Sequence, residues 1–338
     1  MDIMQFTQVI PRLRVLETRL LDKAKLDRMI DSKSADEALR VLGETEYSNV
    51  MSGAKRAEDY EAVLSDELKR VYHEMYDMTP CKELVDIMSM KYDYHNIKVI
   101  LKGMFLQKDF SNMLIHVGSI EASKLKVIIE TNSFGDLNPI MREAVEEAIN
   151  DFNSKKDPQR IDVILDKYMF EEMKYVAKEL NDTFTERYVK AQIDLTNVKT
   201  LLRVKKQNKG RELLLSVLID GGKIDKDVLV SLLNDANENI FSKLSHTDYA
   251  DVLKNGVEDY TKSGSAGVLE KLVDNYIMNM MKEAKMIPFG GEPLLAYIYA
   301  KETEIKVVRI IMVGKLNNIA EEVIRERLRD IRSEEHTS

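Results

Sequence analysis

One ten-residue pattern occurs three times in this chain. Asp93–Lys102 reads DYHNIKVILK, Asp194–Arg203 reads DLTNVKTLLR and Lys301–Ile310 reads KETEIKVVRI. Each copy contains a polar residue, a β-branched residue and a lysine in succession: Asn96-Ile97-Lys98, Asn197-Val198-Lys199 and Glu304-Ile305-Lys306. The copies lie 101 and then 107 residues apart, whereas the common solenoid repeats have periods of roughly 20 to 50 residues. The spacing therefore predicts three similar helical units, each with its own core.

Two further pairs of markers share nearly the same offset. Gly118–Glu121 corresponds to Gly222–Asp225 at an offset of 104, and Asp166-Lys167-Tyr168 corresponds to Asp274-Asn275-Tyr276 at an offset of 108. Because several independent markers agree, we interpret the chain as an internal duplication. The expected boundaries give three helical domains at residues 1–108, 109–210 and 211–331.

The composition predicts an all-α fold. Only 14 Gly and 6 Pro occur in 338 residues, and the chain is rich in the strong helix formers Leu, Lys, Glu and Met. Apolar residues recur four positions apart in Val268–Met281, as expected for a helix with one buried stripe. The best strand signal is Val127-Ile128-Ile129, and we predict that this segment is helical as well.

Charge and cysteine content exclude several classes of protein. The net charge of −8 argues against a dedicated nucleic-acid-binding protein, whose affinity depends on neutralising phosphates. Lys or Arg interrupts each apolar run before the roughly 18 residues that a membrane span needs. Met1–Phe6 lacks the basic and apolar regions of a secretion signal. The single Cys81 cannot form an internal disulfide, which fits a reducing cytoplasm.

The motifs of catalytic and cofactor sites do not occur. Neither Gly221-Gly222 nor Gly290-Gly291 is followed by the Gly-Lys-Ser/Thr of a phosphate loop, and each pair is typical of a turn that ends a helix. The five histidines show no paired metal-ligand spacing. We therefore predict no catalytic residue, no cofactor and no metal site.

One local charge feature suggests a binding surface. Between Lys190 and Arg211 seven basic residues occur against the single acid Asp194. Lys199, Arg203 and Lys206 are spaced to share one helix face. Compensation of the helix dipole would explain two or three of these cations, and docking to an acidic partner or to anionic headgroups would explain more. We treat Lys98, Lys199, Arg203, Lys206 and Lys306 as candidate partner-binding residues.

The repeated asparagines allow two interpretations. In one, the repeated helix carries a repeated contact surface. In the other, the helix belongs to the core, and Asn96 and Asn197 start or kink it by local hydrogen bonding. Both interpretations place the three β-branched residues inward and the three lysines elsewhere.

The C-terminal blocks carry a family resemblance. Pro288–Ile298 reads PFGGEPLLAYI, Ala300–Arg309 reads AKETEIKVVR and Ile324–Arg329 reads IRERLR. Together with Thr18–Leu21, Ala38–Leu42, Thr45–Tyr47 and Tyr92–Lys98, they strongly resemble the C subunit of the bacterial and archaeal V/A-type rotary ATPases. This family is the counterpart of the d subunit of the eukaryotic V-ATPase. The resemblance extends over about residues 3 to 331.

The resemblance implies a funnel of three similar helical domains and a non-catalytic role in the central stalk. One copy per complex would join the central shaft to the membrane proteolipid ring, at the inner face of the cell membrane. ATP hydrolysis or synthesis would thereby be linked to proton or sodium transport. A helical scaffold that binds other partners is the alternative, and the sparse candidate chemistry disfavours an enzyme.

The last residues depart from the family pattern. Residues 332–338 read RSEEHTS, which resembles a translated sequencing-adapter sequence. We treat them as a non-native tail and exclude them from the prediction of the fold.

Overall fold

The computed structural model describes residues 3–331, and within that range every regular element is a helix. The all-α prediction is therefore confirmed, while the expected adapter tail lies outside the described residues. The sixteen α-helices are α1 (Val9–Glu17), α2 (Lys23–Ile30), α3 (Ala35–Leu42), α4 (Tyr60–Met78), α5 (Lys82–Leu106), α6 (Ala122–Glu130), α7 (Pro139–Lys155), α8 (Pro158–Leu180), α9 (Thr183–Lys206), α10 (Arg211–Val217), α11 (Lys226–Ser231), α12 (Asn237–Leu244), α13 (Ala250–Ser263), α14 (Gly267–Glu283), α15 (Glu292–Leu316) and α16 (Glu321–Arg327).

Each copy of the repeated pattern lies on a long helix. Helices α5, α9 and α15 contain 25, 24 and 25 residues, respectively. Ile97, Val198 and Ile305 are 0%, 1% and 4% exposed, so the repeated β-branched position faces the protein interior in all three copies. Buried residues occur around most of α15, as expected for a helix inside a core.

Local sequence explains where several neighbouring helices begin and end. Pro139 and Pro158 occupy the first turns of α7 and α8, where a missing backbone N–H costs no helical hydrogen bond. The carboxylate of Asp182 caps α9 by accepting a hydrogen bond from the Thr185 N–H. Asn181 ends α8 in the left-handed conformation, which asparagine tolerates better than most residues. Val127–Ile129 lie within α6, so their predicted helical state is confirmed.

Residues 86–239 form one compact unit, and the described residues before and after that range form a second. The boundary at residue 86 lies inside α5 and the boundary at 239 lies inside α12. The division into domains 1–108, 109–210 and 211–331 stays a prediction, as does the funnel.

The core of the second unit joins helices that are distant in sequence. The buried side chains of α2 and α3 belong to the same apolar cluster as Ile305, Val308, Ile311 and Met312 of α15. Helix α4 also packs along α15. Residues 21–42 therefore contribute to the core that surrounds the third repeated helix.

None of the helices between residues 3 and 331 combines enough length and apolar character to cross a membrane.

Candidate partner-binding surface

The first repeated helix anchors a loop through two polar side chains. The Asn96 amide donates a hydrogen bond to the Ile115 carbonyl oxygen and accepts one from the Ile115 N–H, each at 2.8 Å. One turn earlier, the Asp93 carboxylate accepts hydrogen bonds from the Ser119 N–H at 2.9 Å and from the Ser119 hydroxyl at 2.8 Å. It also accepts one from the Ile120 N–H at 3.3 Å. Both backbone groups of Ile115 are satisfied by a single side chain.

The second repeated helix reproduces this arrangement. Asn197 makes the same pair of hydrogen bonds with the backbone of Ile219, again at 2.8 Å each. Asp194 accepts from the N–H groups of Lys223 and Ile224 at 2.9 and 3.0 Å. The residues that follow the first and second helices therefore dock onto them in the same way.

Two glycines allow the aspartates to approach the loops closely. A Cβ atom on Gly118 would clash with the Asp93 carboxylate, and one on Gly222 would clash with the Asp194 carboxylate. These are the first residues of the markers Gly118–Glu121 and Gly222–Asp225. The two sequence segments that indicated a duplication are thus the loops whose N–H groups bind Asp93 and Asp194.

The third repeated helix replaces this pair with opposite charges. Lys301 and Glu304 occupy the positions of Asp194 and Asn197, and both are 2% exposed. The Lys301 ammonium lies 2.7 Å from Glu304 and 2.8 Å from Glu67 of α4. Glu304 also accepts hydrogen bonds from the Leu21 N–H at 2.5 Å and from the Tyr47 hydroxyl at 2.9 Å. A buried ion cluster therefore takes the place of the amide.

One part of the second interpretation of the asparagines is wrong: the helices belong to the core, but the hydrogen bonds of Asn96 and Asn197 are not local. Asn96 and Asn197 lie in the middle of their helices and bond residues 19 and 22 positions away, respectively. They neither start the helix nor kink it by local hydrogen bonding. The cause is tertiary, because each side chain satisfies backbone groups of a loop that has no secondary structure of its own.

Lys98 and Lys306, the lysines of the first and third copies, are both paired with carboxylates. Lys98 lies 2.5 Å from Asp166 of α8, and its side chain is 19% exposed. Lys306 forms an ion pair with Asp274 of α14, which also lies 3.0 Å from Arg329. The two Asp-x-Tyr markers thus provide the carboxylates for two of the repeated lysines. Both of these candidate binding residues are engaged within the chain.

The basic stretch between Lys190 and Arg211 is divided among several roles. Lys190 lies 3.2 Å from Glu186 in the same helix. Lys205 donates hydrogen bonds to the carbonyl oxygens of Leu232, Leu233 and Asp235 near the end of α11, and burial lowers its pKa. Dipole and carbonyl compensation therefore account for part of the charge, as the alternative interpretation required.

The remaining candidates lie together on α9. Lys199 is half-buried, and Arg203 and Lys206 are exposed on the last two turns of this helix. Their spacing places them on one side of α9. We call this side of the helix, with Lys199, Arg203 and Lys206, the α9 basic face.

Sequence reasoning missed a buried acidic cluster in the first unit. Glu172 of α8 accepts hydrogen bonds from the Tyr94 hydroxyl and from the Asn138 amide, both at 2.7 Å. Burial raises the pKa of Glu172. Burial also raises the pKa of Asp93 to about 6, against the lowering effect of its hydrogen bonds from Ser119 and Ile120. The Asn138-Pro139 helix start is a signal for a cap, but it does not identify Glu172 as the acceptor of the amide.

The arrangement of these groups holds helices and loops together. Within residues 3–331 no three side chains of His, Cys, Asp or Glu are grouped so that they could hold a metal ion. His95 lies with Nε2 3.0 Å from the Met113 carbonyl oxygen. The cationic groups on the outer side of α9 can bind an acidic surface by charge–charge interaction.

Comparison with known proteins gives matches along nearly the whole chain. The family described as "ATP synthase (C/AC39) subunit" matches residues 9–327. The V-type sodium ATPase C subunit of Enterococcus hirae is 29% identical over 329 residues, which cover 97% of this chain and 99% of the relative. The A-type ATP synthase C subunit of Methanocaldococcus jannaschii is 28% identical, and the match covers 97% of this chain and 87% of the relative. This protein therefore belongs to the ATP synthase (C/AC39) subunit family.

Proposed function

We propose that the protein is a non-catalytic central-stalk subunit of a rotary V/A-type ATPase. One copy would join the rotating shaft to the membrane proteolipid ring at the inner face of the cell membrane. ATP hydrolysis or synthesis would then be linked to proton or sodium transport. The family match over residues 9–327 supports this role more than any other observation.

The fold is compatible with a part that transmits force rather than one that performs chemistry. The buried polar groups of Asn96, Asn197 and Glu304 fasten loops to long helices. A coupling protein must pass torque between two partners without deforming, and buried hydrogen bonds of this kind make a core rigid.

Within this proposal, the α9 basic face helps to dock an acidic partner surface. Lys98 and Lys306 lie on α5 and α15 rather than on α9, so we assign them a secondary part in docking. Exposed charges typically contribute about 1 kcal/mol or less each to binding and are screened by salt. Reversing the charge of all three residues together should therefore weaken assembly measurably, and most strongly at low ionic strength.

The test is a reconstitution of the ring, the shaft and this protein with the triple variant Lys199→Glu, Arg203→Glu, Lys206→Glu. We expect assembly weaker than that of the unmodified protein, with the largest deficit at low ionic strength and a smaller one as salt screens the charges, together with an unchanged melting temperature. A matched control reverses three exposed lysines on other helices or loops, Lys33, Lys124 and Lys254, and changes the net charge equally.

The outcomes separate the alternatives. Normal assembly of the α9 triple variant at low ionic strength would remove this face from the proposal and leave the coupling role in place. Failure of the unmodified protein to co-purify with ring and shaft proteins would favour a helical scaffold with other partners. Specific binding of nucleotide by the isolated chain would contradict a non-catalytic role.

A further inference from the structure

The third repeated helix receives its loop from the opposite end of the chain. Asn96 and Asn197 each bond the backbone of a residue that follows them, 19 and 22 positions later. Glu304 occupies the same position in the repeat, and the backbone N–H that it binds belongs to Leu21, which precedes it by 283 positions. The N-terminal segment thus fills the place that a downstream loop fills in the first two copies.

The helices that follow these backbone groups support this correspondence. A short helix begins after Ile115 (α6), after Ile219 (α11) and after Leu21 (α2). In the third copy, Leu26, Met29 and Ile30 of α2 are buried in the same apolar cluster as α15. Arg325 of α16 donates hydrogen bonds to Asp27 of α2 and to Asp31, the residue that follows this helix. Helix α2 is therefore held both by α15 and by α16.

The change of residues in the third copy has a chemical reason. Asn96 and Asn197 hold loops that follow them closely in the chain, so the closure of those loops loses less entropy than the closure of a longer one. Leu21 and Glu304 are separated by 283 positions, and a charged acceptor offsets more of the larger closure cost. Hydrogen bonds to charged groups are about twice as strong as neutral ones.

The charged contact is also specific in its geometry. Lys301 is 2% exposed and Glu67 is 0% exposed, and Arg70 binds Glu67 through two nitrogens at 2.8 and 2.9 Å. The Lys301 ammonium also lies over the Tyr47 ring, 4.6 Å from its centroid. Each buried carboxylate therefore has a cation and further hydrogen bonds, without which a buried charge would be unfavourable.

We propose that residues 18–47 act as an N-terminal strap that closes the third repeat, and that Lys301, Glu304, Glu67 and Tyr47 form its lock. The lock fixes the register of the strap on α15 through Leu21 at one end and Tyr47 at the other. This inference does not depend on the proposed role in a rotary ATPase. According to this proposal, residues 18–47 can detach from α15 locally while residues 86–239 stay folded.

Hydrogen–deuterium exchange of the full-length protein tests the strap. Glu304→Gln keeps the shape of the side chain and removes its charge. We expect exchange in peptides from residues 18–47 to rise by about tenfold, because the hydrogen bonds from Leu21 and Tyr47 to a neutral amide are weaker than those to the Glu304 carboxylate. Peptides covering residues 115–130 and 219–231 should exchange as in the unmodified protein.

Two controls make the result specific. Asn197→Ala should raise exchange in residues 219–231 and leave the strap unchanged, because its partner is Ile219. Lys306 lies on the same helix as Glu304. The substitution Lys306→Met removes its contact with Asp274 and should leave the exchange of the strap unchanged. If Glu304→Gln does not fold, Tyr47→Phe removes one hydroxyl from the lock and should produce a smaller increase in the same peptides.

The proposal would be overturned by either of two results. One is an increase of exchange that is equal in the strap, α13 and α14, because this would show that the lock contributes to global stability alone. The other is unchanged exchange of the strap in both Glu304→Gln and Tyr47→Phe.

Discussion

At the residue scale, the absence of a Cβ atom at Gly118 and Gly222 determines how closely the two loops approach the repeated helices. The aspartates at 93 and 194 reach backbone N–H groups because Gly118 and Gly222 carry no side chain there. The same aspartates are almost completely buried, so their carboxylates depend on these few donors. Steric fit and hydrogen bonding therefore act on the same small region in both copies.

Gly222→Ala tests the close approach. The added Cβ would clash with Asp194, so the loop must move and its hydrogen bonds to the carboxylate lengthen. We expect the free energy of unfolding to fall by about 1–3 kcal/mol, measured by urea denaturation. Gly135→Ala is the control, because its Cβ would meet no atom within 4 Å. Equal effects of the two substitutions would contradict the steric argument.

Asp93 gives a prediction about pH. Its pKa is raised by burial to about 6 from an ordinary value of 3.8, so the folded state binds the proton more tightly than the unfolded state. Its contribution to stability is therefore greatest at low pH and declines as pH rises from about 4 to about 6. Lowering the pH from 7 to 5 should raise this contribution by about 1 kcal/mol.

Asp93→Asn isolates that contribution. The amide does not titrate, so the variant should lack the part of the stability increase between pH 7 and pH 5 that comes from Asp93. Urea denaturation at both pH values measures the difference. Groups that do not interact with Asp93 cancel because they are common to both proteins, so the difference reports Asp93 and its interaction with the charge of Glu172. An identical change with pH in the two proteins would show that Asp93 does not titrate in this range.

At the scale of elements, the repeated helices are connected to loops by side chains rather than by backbone pairing. Asn197 satisfies both backbone groups of Ile219, which is 5% exposed. The stacked rings of Phe105 and Phe152, whose centroids lie 4.0 Å apart, connect α5 and α7 in a different way, through apolar contact. The polar contacts determine register, and the apolar contacts provide most of the burial.

The substitution Asn197→Ala should therefore lower the stability of the protein considerably, although Asn197 is uncharged and makes no ion pair with its loop. It leaves one buried donor and one buried acceptor of Ile219 without a partner, and we expect a loss of about 2–4 kcal/mol in the free energy of unfolding. Thr200→Ala, a half-buried position on the same helix, is the control and should cost less. A loss no larger than that of the control would mean that water replaces the amide.

At the scale of the whole molecule, the two compact units differ in chain continuity. The unit of residues 86–239 is one continuous segment, whereas the other combines residues from both sides of it. The hydrogen bonds from Asn96 to Ile115 and from Asn197 to Ile219 cross the boundaries predicted at 108 and 210. A cut at either predicted boundary would remove one of them.

Fragments test this division. A fragment of residues 79–236 retains all of α5 and both asparagine contacts, and we expect it to unfold cooperatively in urea. A fragment of residues 109–210 lacks the partners Asn96, Tyr94 and Ile219, and it should show no cooperative transition, because buried polar groups would be left unpaired. Cooperative unfolding of the shorter fragment alone would favour the predicted domain boundaries.

The sequence alone determined the helical class, the three copies of one long helix and the family resemblance, because these depend on composition, periodicity and recurring local patterns. The inward position of Ile97, Val198 and Ile305 also follows from the period of a helix. Tertiary structure alone decided the partners of the polar residues. No local pattern connects Glu304 to Leu21 or Glu172 to Tyr94, since each contact joins segments that meet only when the core forms. For the same reason the basic residues between Lys190 and Arg211 could not be divided in advance. Whether a lysine caps carbonyl groups, as Lys205 does, or lies on an exposed face, as Lys206 does, depends on which neighbouring element the fold brings beside it.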